Sequence, residues 1–208
     1  YVRPDFEKMK KSAFGCAEKI KNATSYDEAK KAFLEFDKEE SAFFDMVTVA
    51  SVRHTIDTSD EFYDKEDEYL NEQIPEYSSA YMELANTLYD CAFKDDFVKE
   101  FGNSMFSNIE IQRKSYCEKN IPLLQKEAKL CSEYEKIIAS ADIVFDGKHL
   151  NLYGIMSYFE NADRQVRHDA FKAYSDFYAS HEKRFEEIWD ELIKIRTEQS
   201  KNLSLIHI

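Results

Sequence analysis

Proline and glycine are scarce in this chain of 208 residues, which contains only three prolines and four glycines. A fold built from many short strands usually needs one of these residues at each tight turn, so their scarcity argues against such a fold. No apolar run approaches the roughly 20 residues that a membrane-spanning helix requires, and we therefore expect no membrane association. The charged fraction of 33% and the aromatic fraction of 14% instead favour long amphipathic helices with aromatic cores.

Cysteine is also sparse, and its spacing argues against the common metal and redox motifs. Cys16, Cys91, Cys117 and Cys131 lie far apart, without a Cys-x-x-Cys pair. A zinc or disulfide framework is therefore not expected, and we predict buried free thiols in a reducing, cytoplasmic protein. The sequence shows no signal peptide. Because the chain begins with Tyr1 and not with Met, we expect the native start to lie upstream.

The formal net charge of −13 limits the partners of the chain. Binding to nucleic acid needs a basic surface that neutralises phosphates, so we expect no nucleic-acid partner. An acidic surface usually keeps a protein soluble, and in some proteins it attracts basic peptides. The sequence favours the first of these two interpretations.

Apolar residues recur at three- and four-residue steps in the first half of the chain and predict amphipathic helices there. The first helix should run to about Asn22. The second should begin at the capping box Ser25–Glu28 and run to about Ile56. A second capping box, Thr58–Glu61, should begin a third helix. Pro75 should kink this helix without ending it, because the apolar pattern resumes in phase.

The second half of the chain predicts further helices and one exception. The helices are expected at about 95–101, 103–117 and 122–141, then from Asp163, with Ser180 restarting a last helix. The exception is 143–152, where Asp146-Gly147 between alternating apolar residues predicts a β-hairpin. The predicted fold class is all-α, with long antiparallel amphipathic helices and one small β-hairpin near 143–152.

The segment His181–Phe185 matches half of a zinc-peptidase motif. In His-Glu-x-x-His on a helix, two imidazoles four residues apart reach one metal ion. Phe185 stands in place of the second histidine, so we interpret the segment as a helix start with Phe185 in the core. His54, His149 and His168 have no partner at ligand spacing. We therefore assign no catalytic and no metal-binding residue within this chain.

A polar patch near the end of the second helix is the one candidate binding site. Arg53, His54 and Asp57 lie together directly before the Thr58 capping box. In a structural interpretation, Asp57 or Thr58 ends the helix while Arg53 pairs with a nearby acid. In a functional interpretation, Arg53, His54 and Asp57 face a substrate channel, and we keep these three residues as substrate-channel candidates.

The last six residues, Leu203–Ile208, differ sharply from the charged helix that precedes them. CTGTCTCTTATACACATC, the start of a common transposon-derived sequencing adapter, encodes this peptide. A native apolar C-terminal turn is the alternative. We expect residues 1–203 to be a truncated native region and 204–208 to be an adapter-derived tail. In that case Leu205, Ile206 and Ile208 should be exposed.

Several segments together resemble the N-terminal half of oligoendopeptidase F, a bacterial zinc metallopeptidase of the thimet-oligopeptidase-like group. The segments are Tyr1–Asp5, Ala50–Thr58, Asp60–Tyr63, Glu133–Ala141, Phe145–Gly147 and Phe185–Leu192. The resemblance covers the chain from Tyr1 to about Leu203. In the family, Gly-Phe follows the sequence that matches Lys201-Asn-Leu203, whereas Ser204 follows it here.

The resemblance implies the N-terminal helical region of a cytoplasmic hydrolase, a zinc metalloprotease whose substrates are short unfolded peptides. The region would form one wall and lid of a deep channel. The family's catalytic His-Glu-x-x-His and its distal Glu ligand match no residue here, so the resemblance implies a fragment that is inactive and binds no zinc alone. The alternative is a self-contained helical scaffold or interaction protein. Sequence beyond Asn202 would distinguish the two hypotheses.

Overall fold

The computed structural model describes residues 1–204, and most of these residues are helical. The helices are α1 (Phe6–Lys21), α2 (Tyr26–Ile56), α3 (Glu61–Asp90), α4 (Lys94–Phe101), α5 (Asn103–Ser115), α6 (Ile121–Ala139), α7 (Leu152–Met156) and α8 (Arg164–Asn202), and the strands are β1 (Ile143–Phe145) and β2 (Lys148–Leu150). The predicted all-α class with one small hairpin is confirmed for these residues. None of the described helices combines the length and the apolar character needed to cross a membrane. Leu205, Ile206 and Ile208, which we expect to be exposed, lie outside the described residues.

The chain divides into two compact units, and each has its own core. The first unit comprises residues 1–125 together with residues 199–204, and the second comprises Lys126–Glu198. In the first unit, α1, α2 and α3 pack against one another, and α4 and α5 pack against α3. Phe6, Leu84 and Phe97 are among the fully buried side chains of this core. Their burial supplies the apolar contacts that stabilise the helices.

The ends of α1, α2 and α3 follow from side chains that accept backbone hydrogen bonds. Asp5 caps α1 by accepting from the Lys8 N–H at 2.9 Å. Ser25 caps α2 by accepting from the Glu28 N–H at 3.3 Å, as predicted. The predicted cap at Thr58 is wrong. Asp60 begins α3 instead, because its carboxylate accepts from two N–H groups of the first turn.

Helix α3 continues through Pro75, as the in-phase apolar pattern predicts. A proline inside a helix removes one backbone donor and disturbs the preceding turn. The carbonyl of Glu72 in that turn accepts a hydrogen bond from Gln125 Nε2 at 2.8 Å. The side chain of Gln125 thus adds a hydrogen bond to the turn that precedes the proline.

The second unit contains the predicted hairpin. Ile143 pairs with Leu150 and Phe145 pairs with Lys148, which leaves Asp146 and Gly147 as a two-residue turn. Both turn residues have positive φ, 50° for Asp146 and 69° for Gly147. Gly adopts this conformation without steric cost, and Asp tolerates it. The hairpin prediction is confirmed.

Helix α8 is one continuous helix, so the predicted restart at Ser180 is wrong. The Ser180 hydroxyl donates to the carbonyl of Phe177 at 2.6 Å, a hydrogen bond that a serine makes inside a helix as readily as at its start. The segment His181–Phe185 consequently lies in the middle of α8 and is not a helix start. Ile188 and Leu192 lie on the buried side of this helix.

All four cysteines are free thiols, and they differ in burial. Cys16 is buried, whereas Cys91, Cys117 and Cys131 are half-buried. The expectation that all four are buried is therefore correct only for Cys16. Its Sγ lies 3.4 Å from the carbonyl oxygen of Ala32, and burial raises the pKa of the Cys16 thiol to about 12. This thiol stays protonated and unreactive in the folded chain.

Candidate functional site

The polar patch predicted from the sequence lies where α2 ends and α3 begins. Asp57 is the C-cap residue of α2, and its N–H donates to the carbonyl of Arg53 at 3.3 Å. Its carboxylate accepts from both the N–H and the hydroxyl of Ser59, at 2.9 and 2.6 Å. These hydrogen bonds hold the pKa of Asp57 below its usual range. Asp57 is thus an exposed anion that also fixes the turn.

His54 lies beneath this surface and is 1% exposed. Its Nε2 is 3.3 Å from Asp64 Oδ1, and its Nδ1 is 3.6 Å from Asp67 Oδ1. Both ring nitrogens therefore face carboxylates of α3, and a protonated ring would be attracted at both ends. The imidazole connects α2 to α3 and does not reach the surface. His54 can therefore influence a ligand only through exposed neighbours such as Arg53 and Asp57.

Arg53 occupies the surface of the same turn. Its side chain is exposed, and it makes no ion pair with any residue in the range 1–204. The expectation that Arg53 pairs with a nearby acid is therefore wrong. On the same helix, Val52 is 50% exposed and Ile56 is 72% exposed. The end of α2 thus presents a cation beside apolar side chains, a composition that suits contact with a peptide.

The sequence-based prediction missed a second polar cluster beside this patch, centred on Glu66. The Glu66 side chain is only 2% exposed. It accepts a hydrogen bond from the Tyr1 hydroxyl at 2.6 Å and from Arg3 Nε at 3.0 Å, and Arg3 Nη2 lies closer still. The guanidinium also lies 4.8 Å from the ring centre of Tyr69. These contacts hold Tyr1 and Arg3 against α3.

The electrostatic effects within the Glu66 cluster are mutual. The hydrogen bonds from Arg3 lower the pKa of Glu66, and its hydrogen bond from Tyr1 acts in the same direction. Burial and the hydrogen bond to Glu66 raise the pKa of Tyr1. One signal in the sequence could have identified Glu66, since it falls four residues after Phe62 and three before Tyr69 on the apolar stripe of α3. A charged residue at an inward position requires a partner.

The described residues do not fit a zinc ion. Within residues 1–204, no group of three or more His, Cys, Asp or Glu side chains is placed to hold a metal ion. His181 Nδ1 lies 3.0 Å from the carbonyl oxygen of Phe177, and its ring packs against the Phe177 ring. Zinc sites need three or four convergent ligands. The described side chains do not provide such a set of ligands.

Comparisons with known proteins agree with one another. A family model described as the Peptidase M3 N-terminal domain matches residues 1–116. The chain is 33% identical to a solved structure described as PZ peptidase A with an inhibitor, with a TM-score of 0.94 over 98% of this chain and 36% of that one. It is 30% identical to a Bacillus anthracis strain Ames protein named as an oligoendopeptidase F, with a TM-score of 0.95 over 98% of this chain and 38% of that one.

A third solved structure, also named as an oligoendopeptidase F, is 32% identical and has a TM-score of 0.95. The search of curated proteins gave no match. The chain spans between 36% and 38% of the length of these solved chains. The family match covers more than half of the chain, and the structural similarity extends over nearly all of it. The chain therefore belongs to the peptidase M3 family, and its first 116 residues correspond to the N-terminal domain of that family.

Proposed function

We propose that the chain is the N-terminal, channel-forming region of a cytoplasmic, zinc-dependent oligoendopeptidase that hydrolyses short unfolded peptides. The observation that carries this proposal is the structural similarity to two structures named as oligoendopeptidase F over at least 98% of the chain, combined with coverage of only 36–38% of their length. The described residues offer no zinc site. Zinc and the residues that activate water would therefore lie in the part of the full-length enzyme that this chain does not cover.

The contribution of this chain is then the binding and orientation of the peptide. We propose that Arg53 and Asp57 face the channel, since both are exposed at the end of α2. A cation and an anion one helical turn apart can contact the carboxylate, carbonyl and amine groups of an extended peptide. His54 would act as a positioning residue, because its buried ring connects this turn to α3. Residues 204–208 remain, by proposal, an adapter-derived tail.

Sequencing the reading frame past Asn202 tests the proposal most directly. A Gly-Phe continuation after Leu203, followed later by His-Glu-x-x-His, would support the peptidase. A stop codon directly after Asn202 in the native gene would contradict the proposal and would favour the self-contained helical scaffold. This observation requires no folded protein.

We expect the isolated chain to bind less than one zinc ion per molecule and to cleave no peptide. The physical reason is that no described set of side chains supplies the three ligands that a catalytic zinc needs. Metal analysis after dialysis against zinc, together with an assay on an internally quenched peptide, checks this expectation. The protein made from the extended reading frame is the positive control. One tightly bound zinc per isolated chain would contradict the prediction.

We expect Arg53→Ala in the extended enzyme to raise KM about five-fold while changing kcat little. An exposed cation that contacts the peptide in both the ground state and the transition state contributes about 1 kcal/mol of uniform binding. Lys183→Ala is the matched control, because Lys183 is an exposed cation on α8 whose Nζ lies 3.9 Å from Glu187. Steady-state kinetics on a short peptide measure both constants. An equal change in the two variants would contradict the assignment of Arg53 to the channel.

A further inference from the structure

The first unit contains a cleft that the proposed peptidase function does not use. Its volume is about 330 Å³, and it lies between α2, α3 and α5. The side chains that matter for the argument are Phe33, Asp37, Glu40, Tyr81, Asn108 and Gln112. This volume is at the lower end of the range for small-ligand sites. The cleft is large enough for one long side chain or a ligand of similar size.

A carboxylate without a counter-cation lies in this cleft. Glu40 is half-buried and accepts one hydrogen bond from the hydroxyl of Tyr77 at 2.6 Å. Within residues 1–204 it makes no ion pair, and the neighbouring charged group is a second carboxylate, Asp37. Burial and the charge of Asp37 raise the pKa of Glu40, against the effect of the Tyr77 hydrogen bond. A half-buried charge without a counter-ion is costly, and a bound cation would reduce that cost.

The remaining walls of the cleft favour a planar cation over a compact one. Phe33 and Tyr81 supply aromatic surface, on which a guanidinium can stack. Asn108 and Gln112 of α5 add side-chain amides, each with one oxygen that can accept a hydrogen bond, to the two carboxylates of α2. A guanidinium has five N–H donors and is weakly hydrated, whereas an ammonium is strongly hydrated and has three donors. The number of acceptors and the aromatic walls therefore match a guanidinium.

We propose that this cleft binds the guanidinium group of an arginine side chain or of a small free guanidine. Glu40 accepts from the guanidinium, Asp37 adds attraction at the cleft mouth, and the aliphatic stem lies along Phe33 and Tyr81. The formal charge of −13 favours the approach of such a cation. The site requires neither zinc nor the channel, so it stands or falls independently of the peptidase activity.

Calorimetric titration of the 208-residue chain with arginine amide and with citrulline amide tests the proposal. Citrulline has the shape of arginine but carries a neutral urea in place of the guanidinium. We expect arginine amide to bind at least about tenfold more tightly, because charge-assisted hydrogen bonds are roughly twice as strong as neutral ones. Equal affinity for the two ligands, or no binding of arginine amide, would overturn the proposal.

Variants assign the binding to the cleft. We expect Glu40→Gln to weaken arginine amide about tenfold, and Glu35→Gln, on the same helix but outside the cleft, to leave the affinity unchanged. Circular dichroism checks that each variant is folded. If Glu40→Gln does not fold, Asp37→Asn is the second variant, because Asp37 is exposed. It should weaken binding about threefold. Unchanged binding in a folded Glu40→Gln or Asp37→Asn variant would refute the site.

Two further ligands identify the source of the guanidinium. Acetyl-Gly-Arg-Gly-amide presents the side chain within a peptide, and butylguanidine presents the same group as a small free molecule. Tighter binding of the tripeptide supports recognition of arginine in a peptide, and tighter binding of butylguanidine supports a free guanidine. Failure of both ligands, alongside binding of arginine amide, would show recognition of the backbone amine and would overturn the proposal.

Discussion

Arg3→Ala is expected to lower the free energy of unfolding by about 3 kcal/mol. The substitution leaves the carboxylate of Glu66, which is 2% exposed, with the Tyr1 hydroxyl as its hydrogen-bond partner in the cluster. Removing one partner of a buried ion pair costs about 3–5 kcal/mol. The lower end applies here, because the Arg3 side chain is 54% exposed. Urea unfolding followed by circular dichroism measures the change.

Arg113→Ala is the matched control for this prediction. Arg113 also binds a carboxylate through two nitrogens, but its partner Asp90 is 62% exposed. An exposed ion pair contributes at most about 1 kcal/mol. The double variant Arg3→Ala with Glu66→Gln should be more stable than Arg3→Ala alone, since it removes the buried charge as well. Similar losses for Arg3→Ala and Arg113→Ala would show that burial of Glu66 does not set the cost.

The same cluster predicts a dependence on pH. Arg3 lowers the pKa of Glu66 in the folded chain below the value of about 4.3 expected for an unfolded glutamate. The ion pair therefore stabilises the fold fully above that unfolded value, and the stabilisation is lost as the pH falls through the folded-state pKa. The difference in stability between the wild type and Glu66→Gln should accordingly shrink in acid. A difference that grows in acid would contradict this sign.

Phe97→Ala is expected to cost about 3–5 kcal/mol, the range for truncating a buried phenylalanine. Phe97 is fully buried and is the one buried residue among those of α4. Its ring lies 5.1 Å from that of Tyr26 and 5.8 Å from that of Phe33. The loss should appear as a lower urea midpoint with an unchanged slope. Because Phe33 also lines the cleft, the variant should weaken arginine amide as well.

Phe14→Ala is the control for Phe97→Ala, because it makes the same truncation at an exposed site. Phe14 lies on α1 and is 48% exposed, so its removal leaves little cavity. We expect it to cost less than about 1 kcal/mol. If both phenylalanine variants lose stability equally, the cost does not come from the packing around Phe97.

Local signals predicted the elements of this fold better than their boundaries. Asp146-Gly147 predicted its turn correctly, because both residues determine the backbone conformation within the turn itself. Ser180 misled the prediction, since a serine hydroxyl can bond to a carbonyl inside a helix. Thr58 also misled it, because Thr58, Ser59 and Asp60 are all residue types that cap helices, and it is Asp60 that accepts from the N–H groups of Phe62 and Tyr63. Neighbouring residues alone do not contain that information.

The candidate site shows the same limit over longer distances. The sequence identified Arg53, His54 and Asp57 as a patch, but it did not show that His54 points inward to Asp64 and Asp67. It also gave no partner for Glu66, because Arg3 is separated from it by 63 residues. In a chain with 41 acidic residues, a single carboxylate is inconspicuous. The periodicity of α3 marks Glu66 as inward-facing, but only the tertiary fold supplies its cation.

The buried thiol of Cys16 has a consequence for following the motions of the first unit. A probe such as a disulfide reagent reacts with a thiolate, and this thiol is both protonated and covered while α1 packs against α2. Its modification therefore requires the two helices to separate. The modification rate, divided by the rate for a free thiol, gives the equilibrium constant of that separation. Cys16 thus reports how often α1 and α2 separate, once its modification is distinguished from that of the half-buried Cys91, Cys117 and Cys131.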